Sequence, residues 1–176
     1  MIFSETKLSG AFVIDLEPFE DERGFFAQSW SAQEFAFRGL NPRSVETNIS
    51  FNLKQGTLRG MHFQIAPHEQ PKLVRCTAGA ICDVIIDLRP ESATFKHWTA
   101  VELSAANHRQ FYIPEGFAHG FQTLVNNTEV LYQMSAPYVS ESARGVRWND
   151  PAFGIEWPPA ERIIIARDRT YPDFSG

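Results

Sequence analysis

An all-β fold, built as a sandwich, a jelly roll or a small barrel, is what this sequence predicts, and three observations carry the expectation. Short segments rich in β-branched and aromatic residues follow one another with turn residues between them. No alternation of strand-like and helix-like segments is present that would build a parallel sheet. Phenylalanine occurs 15 times in 176 residues, which suits sheets whose large rings face inward or line a pocket.

AFVIDLE (11–17) reads as the first strand. SAQEFAFRG (31–39) is the one convincing helix: Ser31 can cap its first turn, Glu34 can complete a capping box, and Gly39 can end it. TLRGMHFQ (57–64) is mostly apolar around His62, where a packing residue would serve a core better. Further strands read at 72–79, 80–89, 97–104, 109–114, 119–125 and 128–135. Gly79, Pro90, Asn107, Pro114 with Gly116, and Asn126-Asn127 punctuate them. Asn126-Asn127 is a plausible hairpin turn, because asparagine tolerates positive φ. The tail IIIARDRTYPDFSG begins apolar, which predicts that it docks and then frays.

The length favours one domain over residues 1–176 with a real core. The formal net charge of -5 and the lack of a basic patch argue against nucleic-acid binding, while single arginines can still hold a small anion. Cys76 and Cys82 are not a CxxC pair and read as buried free thiols. The N-terminus has no basic region followed by a long apolar run, so no signal peptide is expected. No stretch approaches the ~18 apolar residues that a membrane span needs. A cytoplasmic location is the expectation.

Gly56 stands six residues before His62, and PEGFAH closes on His119. These resemble the two halves of the cupin signature, in which histidines at i and i+2 point to one face of a strand and hold a metal. Here the second histidine position is Gln64, while Glu69 and His119 fit the remaining spacings. A side-chain amide is a poor donor for a first-row metal, and Glu69 falls in a proline-containing loop. The barrel is therefore expected, and a metal is not.

A more specific likeness runs in order through DERGFFAQSW (21–30), NISFNLKQGTLRGMHFQ (48–64), KLVRCTAGAICDVIIDLR (72–89), IPEGFAHGF (113–121), Tyr132 and GVRWNDPAFGIEWP (145–158). The ordered set resembles the dTDP-4-dehydrorhamnose 3,5-epimerase family over nearly the whole chain. The resemblance implies a cupin jelly roll (a double-stranded β-helix barrel) with a few short helices, working as a cofactor-independent homodimer on a dTDP-linked 4-keto-6-deoxy sugar. It implies His62 as base, Asp168 as its partner, Tyr132 as acid, and Lys72 as stabiliser of the enolate. Imidazole titrates near neutrality and phenol near ~10, so each suits its part. The resemblance further implies Arg23 and Arg59 on the pyrophosphate, with Arg23 crossing to the partner's site. His119 and Asn48 would be polar contacts, and Tyr138 the ring stacked on thymine. Gly24 and Gly60 are read as room for a close ligand approach.

Gln28 stands where the family usually has glutamate, Glu46 where it has glutamine, Ala143 where it has glutamate, and Arg167 where it has lysine. These departures leave the proton-transfer residues intact and bear on recognition, pointing towards a different nucleotide or sugar, or inversion at one carbon. Without the likeness, Asp168 reads as a solvated tail residue and Lys72 as a side chain that covers apolar surface. His68, His97 and His108 read as exposed, and Trp148 and Trp157 as core or interface.

Overall fold

The computed structural model describes residues 1–175, and its elements are antiparallel strands with two short helices. In chain order they are β1 (Ile2–Glu5), β2 (Phe12–Asp15), β3 (Phe19–Asp21), β4 (Gly24–Phe26), α1 (Ala32–Phe37), β5 (Glu46–Asn52), β6 (Leu58–Gln64) and β7 (Lys72–Ala78). There follow β8 (Ala80–Asp87), β9 (Trp98–Ser104), β10 (Gln110–Ile113), β11 (Phe117–Thr123), β12 (Thr128–Met134), β13 (Ala143–Gly145) and α2 (Ala166–Arg169). One sheet runs β1-β2-β10-β7-β12-β5 and the other β13-β6-β11-β8-β9, while β3 and β4 form a separate hairpin.

The period-two alternation of strands explains why the two sheets face each other. Val74 and Cys76 of β7, Phe111 and Ile113 of β10, and Val130 of β12 point inward from one sheet. Ile81 and Ile85 of β8, Leu103 of β9, and Phe117 and Phe121 of β11 meet them from the other. The alternate residues of the second sheet, Met61, Val84, Ile86 and Ala118, face outward and are covered by Val146, Phe153 and Trp157. On the outer face of the first sheet, Ile14, Leu73 and Tyr112 receive Phe35 from α1. The same period places Lys72, Asp83, His119 and Tyr132 on the inward faces, between the sheets, where the fold needs no charge.

Several expectations are corrected. Asn127 does adopt φ 54, but β11 and β12 lie in opposite sheets, so Asn126-Asn127 turns a corner between sheets and closes no hairpin. The capping box on α1 is half made: Ser31 Oγ accepts from the Glu34 N–H at 3.3 Å, while Glu34 Oε2 has no partner among the described residues. His108 is half-buried, its ring edge-on to Phe25 at 4.9 Å between centroids. The room at Gly60 (φ 130) serves the fold and not a ligand, since a Cβ there would lie 2.5 Å from Gly120 Cα. The strands at 2–5, 19–21, 24–26, 46–52, 58–64 and 143–145 were not among those read from sequence; apart from 58–64 they are short or largely exposed.

The tail docks as expected through Ile163, whose N–H donates to Gly56 O at 3.0 Å. It then stays docked. Phe174 packs against Phe153 at 5.2 Å between ring centroids, and its N–H donates to Asp150 Oδ2 at 2.6 Å.

Candidate active site

Between the sheets at one end lies a cavity of about 810 Å³, lined by residues of both sheets and of the C-terminal segment. β6 and β11 are neighbours in register, with His62 opposite His119, so two histidines reach it from adjacent strands. Each meets an aspartate. His62 Nε2 lies 2.8 Å from Asp168 Oδ1, and His119 Nε2 lies 2.7 Å from Asp83 Oδ1.

Asp168 is 1% exposed, far from the solvated tail residue its sequence context describes. α2 carries it under β6, where Oδ2 also accepts from the Gly60 N–H at 3.1 Å. Burial opposes its charge, but His62, Gly60 and Arg167 outweigh burial and hold the carboxyl below its ordinary range. A carboxylate accepts only, so the proton on the shared side sits on His62 Nε2. That leaves Nδ1, which no hydrogen bond reaches among the described residues, as the nitrogen that can take a proton. Arg167 completes the cluster, with Nε 3.2 Å from Asp168 Oδ1 and Nη2 3.3 Å from His62 Nε2.

Tyr132 enters from β12, its ring 6.1 Å from that of His119 and 6.4 Å from Phe121. Burial first, then the Asp83 carboxylate, push its phenol well up, so it keeps its proton across the neutral range. Lys72, also inward-facing, is pushed down to about 8 by burial, with Asp83 opposing the shift. Burial also lowers His119, against the pull of Asp83. Asp83 was missed from the sequence. An acid inside the apolar run AICDVIID is the signal that could have found it, since a fully buried carboxylate needs a donor or a cation.

Arg59 and Tyr138 are exposed and Asn48 stands on β5, and all three line the cavity, as does Arg167. Arg59 Nε donates to Asn52 Oδ1 at 2.8 Å, so it is held by an amide and pairs with no acid among the described residues. Glu46 does not line the cavity; its Oε1 accepts from the Tyr138 N–H at 3.3 Å, beside the rim. Arg23 and Gln28 stand on the exposed surface away from the cavity of their own chain, with Arg23 paired to Asp21. Arg144 and Tyr171 line the cavity although neither was singled out. Arg144 lies on the three-residue β13 and Tyr171 in the tail, and neither segment is long enough to carry a periodic signal. Among the lining residues Arg59, Lys72, Arg144 and Arg167 are cationic and Asp168 is the only carboxylate, in a chain whose net charge is -5.

Gln64, at the second histidine position of the cupin signature, is committed to the main chain. Its Oε1 accepts from the Val139 N–H at 2.7 Å, and its Nε2 donates to His68 O and Pro137 O. Among the described residues no cluster of three or more His, Cys, Asp or Glu side chains converges.

The family model described as dTDP-4-dehydrorhamnose 3,5-epimerase matches residues 5–176. A dTDP-4-dehydrorhamnose 3,5-epimerase of Salmonella typhimurium is 45% identical, covering 98% of this chain and 94% of its own. The crystal structure of the Bacillus anthracis enzyme, with TDP and PPi bound, superposes with a TM-score of 0.94 at 42% identity, covering 98% of this chain and 99% of that one. The Legionella pneumophila enzyme, in complex with dTDP-4-keto-L-rhamnose, gives 0.88 at 37% identity over 95% of this chain and 89% of that one. Sequence, cupin jelly roll and cavity thus converge on one conclusion: the chain belongs to the dTDP-4-dehydrorhamnose 3,5-epimerase family of isomerases.

Proposed function

We propose that residues 1–176 form one catalytic domain that inverts C3 and C5 of dTDP-4-dehydro-6-deoxy-D-glucose, giving dTDP-4-dehydro-L-rhamnose. The observation that carries this reading is the pairing, in one cavity, of a histidine–aspartate dyad with a tyrosine held protonated by burial. His62 Nδ1 removes the proton from a carbon flanking the ketone, and Asp168 stabilises the imidazolium that forms. The electron pair moves to the carbonyl oxygen, where Lys72, beside the buried His119–Asp83 pair, holds the enolate. Tyr132 returns a proton to the opposite face of that carbon, and solvent then takes the proton from the His62 imidazolium and restores the tyrosine hydroxyl. Preorganised charge at a developing oxyanion is worth ~3 kcal/mol.

The cationic rim fits a nucleoside diphosphate, with Arg59 and Arg167 on the pyrophosphate, Tyr138 against the base, and Asn48 as a polar contact. The chain works as a homodimer with Arg23, and beside it Gln28, presented to the partner's site. Support comes from Phe19 at 76% exposed, Phe26 at 75% and Leu53 at 70%, an apolar surface that a monomer would leave wet. β5, at the edge of the six-stranded sheet, leaves Ile49 and Phe51 exposed as well. A cytoplasmic location agrees with the free thiols Cys76 and Cys82.

A second reading, a mono-epimerase or an epimerase of another 4-keto nucleotide sugar, is favoured by Glu46, whose carboxylate sits at the rim beside Tyr138. Proton NMR of the dTDP-4-keto sugar in deuterated water separates the two. Exchange at both C3 and C5, lost in His62→Ala, supports the 3,5-epimerase. Exchange at one carbon supports the second reading, and no exchange overturns the first.

A further inference from the structure

The tail segment after α2 is fastened twice to Arg147, two residues past β13. Arg147 Nη1 donates to Tyr171 O at 3.3 Å, and Arg147 Nη2 pairs with Asp173 Oδ1 at 2.5 Å. This strap lays the Tyr171 ring on Gly145. A Cβ built at Gly145 would stand 2.3 Å from Tyr171 Cζ and 2.6 Å from its hydroxyl oxygen. Gly145 does not have a left-handed φ, so the backbone would accept alanine, and the Tyr171 ring is what demands glycine.

Gly145 is also the register partner of His62 across β13 and β6. With no side chain at 145, the Tyr171 ring comes beside the imidazole of His62, edge-on at 6.5 Å between centroids and 72° between planes. Tyr171 lines the cavity, so the ring closes the side of His62 that faces the tail. Asp168 fixes Nε2 at one point, and a single hydrogen bond leaves an imidazole free to tilt about it. A ring packed against it removes that freedom, and misplacement of a catalytic group by ~1 Å can cost ~100-fold in rate.

We propose that Tyr171, seated on Gly145, is a positioning residue that holds the imidazole of His62 in the orientation that aims Nδ1 at substrate. The inference rests on the epimerase reading for its kinetic consequence and on packing alone for its structural one. The aromatic ring does the work and the hydroxyl does not, so phenylalanine serves equally well.

The test is a double-mutant cycle over Tyr171 and Gly145, with kinetics on the dTDP-4-keto sugar and the imidazole proton resonances of His62 as readouts. Tyr171→Ala is expected to lower kcat by about tenfold with KM changed less than about twofold, the split of lost orientation rather than lost binding. Tyr171→Phe restores kcat. Gly145→Ala, which must displace the ring, gives a similar loss, and the double variant is no worse than Tyr171→Ala alone. In the resonances, both single variants shift His62, and the double variant matches Tyr171→Ala. Multiplying losses, an unchanged kcat in Tyr171→Ala, or unmoved His62 resonances would overturn the proposal. A rise in KM with kcat intact would overturn it too, making the ring a substrate contact. A wild-type protein that exchanges no sugar proton sinks the epimerase reading instead, and the resonance cycle still decides the packing claim.

Discussion

His62 Nε2 and Asp168 Oδ1 stand 2.8 Å apart across 106 positions of sequence, and the same carboxylate reaches the Gly60 N–H at 3.1 Å through its other oxygen. The aspartate therefore fixes both the imidazole and the backbone of the strand that carries it. Asp168→Asn keeps the shape but can present an N–H to Nε2, favouring the wrong tautomer. In a comparable histidine–aspartate pair that change costs on the order of 10⁴ in kcat. The expected outcome here is a loss of kcat of at least about 100-fold with the fold intact by circular dichroism.

On the proposed mechanism, Tyr132→Phe removes the acid and leaves the base. Abstraction at the carbon continues and solvent deuterium still enters the sugar, but inversion slows by about 10²–10⁴. Proton NMR resolves the two, because exchange with retention leaves the coupling constants of the starting sugar. Inversion at an undiminished rate would remove Tyr132 from its part.

On the proposed mechanism, Lys72 sets the alkaline limit. Its ammonium is lowered from 10.5 to about 8 by burial, so the charge that holds the enolate is lost as pH rises through 8. The catalytic rate should fall above that point and the limb should disappear in Lys72→Met. Stability moves the other way. Between about 8 and 10.5 the unfolded chain binds more protons than the folded one, so this group's contribution rises with pH. Thermal melts and initial rates over that window would show opposite slopes.

Asp87 is 0% exposed and organises the loop after β8. Its carboxylate accepts from Arg89 Nη2 at 2.7 Å, Ser92 Oγ at 2.6 Å, Thr94 Oγ1 at 2.7 Å and the Arg89 N–H at 3.0 Å. Burial opposes the charge, but these donors outweigh it and hold the carboxyl far below its usual range. Stability from this group is present above the unfolded pKa near ~4 and is lost as pH falls through the folded value. Asp87→Asn is expected to cost about 2–4 kcal/mol at pH 7, read by urea denaturation, with a smaller difference in acid.

Arg23 has no contact with its own cavity and is 83% exposed as a side chain. If it serves the partner's site, Arg23→Ala raises KM by about tenfold with little change in kcat, as loss of one phosphate contact does. Phe26→Glu should convert a dimer to monomers by light scattering and carry the same KM penalty. A monomeric Phe26→Glu variant with unchanged KM would remove Arg23 from the site.

Much of the fold was legible because strand periodicity is local. Alternation in KLVRCTAG, AICDVIIDLR and TEVLYQMS announces strands whatever lies across from them, and 72–78, 80–87 and 128–134 are strands. Edge segments such as Glu46–Asn52, exposed along much of their length, lack that alternation and were missed. Ordered motifs placed His62, Tyr132, Lys72 and Asp168, and all four side chains line one cavity.

Pairing across long separations was not legible. Asp83 looks like an anomaly in an apolar strand until His119 from β11 meets it, and Asn126-Asn127 looks like a hairpin until its strands part into different sheets. Gly60 reads as space for a ligand until the backbone of β11 fills it. The sequence by itself determined which residues alternate, which can donate or accept a proton, and in what order they occur. Only the tertiary structure decided which carboxylate His119 meets, how far burial moves Lys72 and Tyr132, and that the tail stays docked with Tyr171 over Gly145. The reason is physical: hydrogen bonding and desolvation fall off within a few ångströms, and no rule of sequence spacing sets distances across more than a hundred residues.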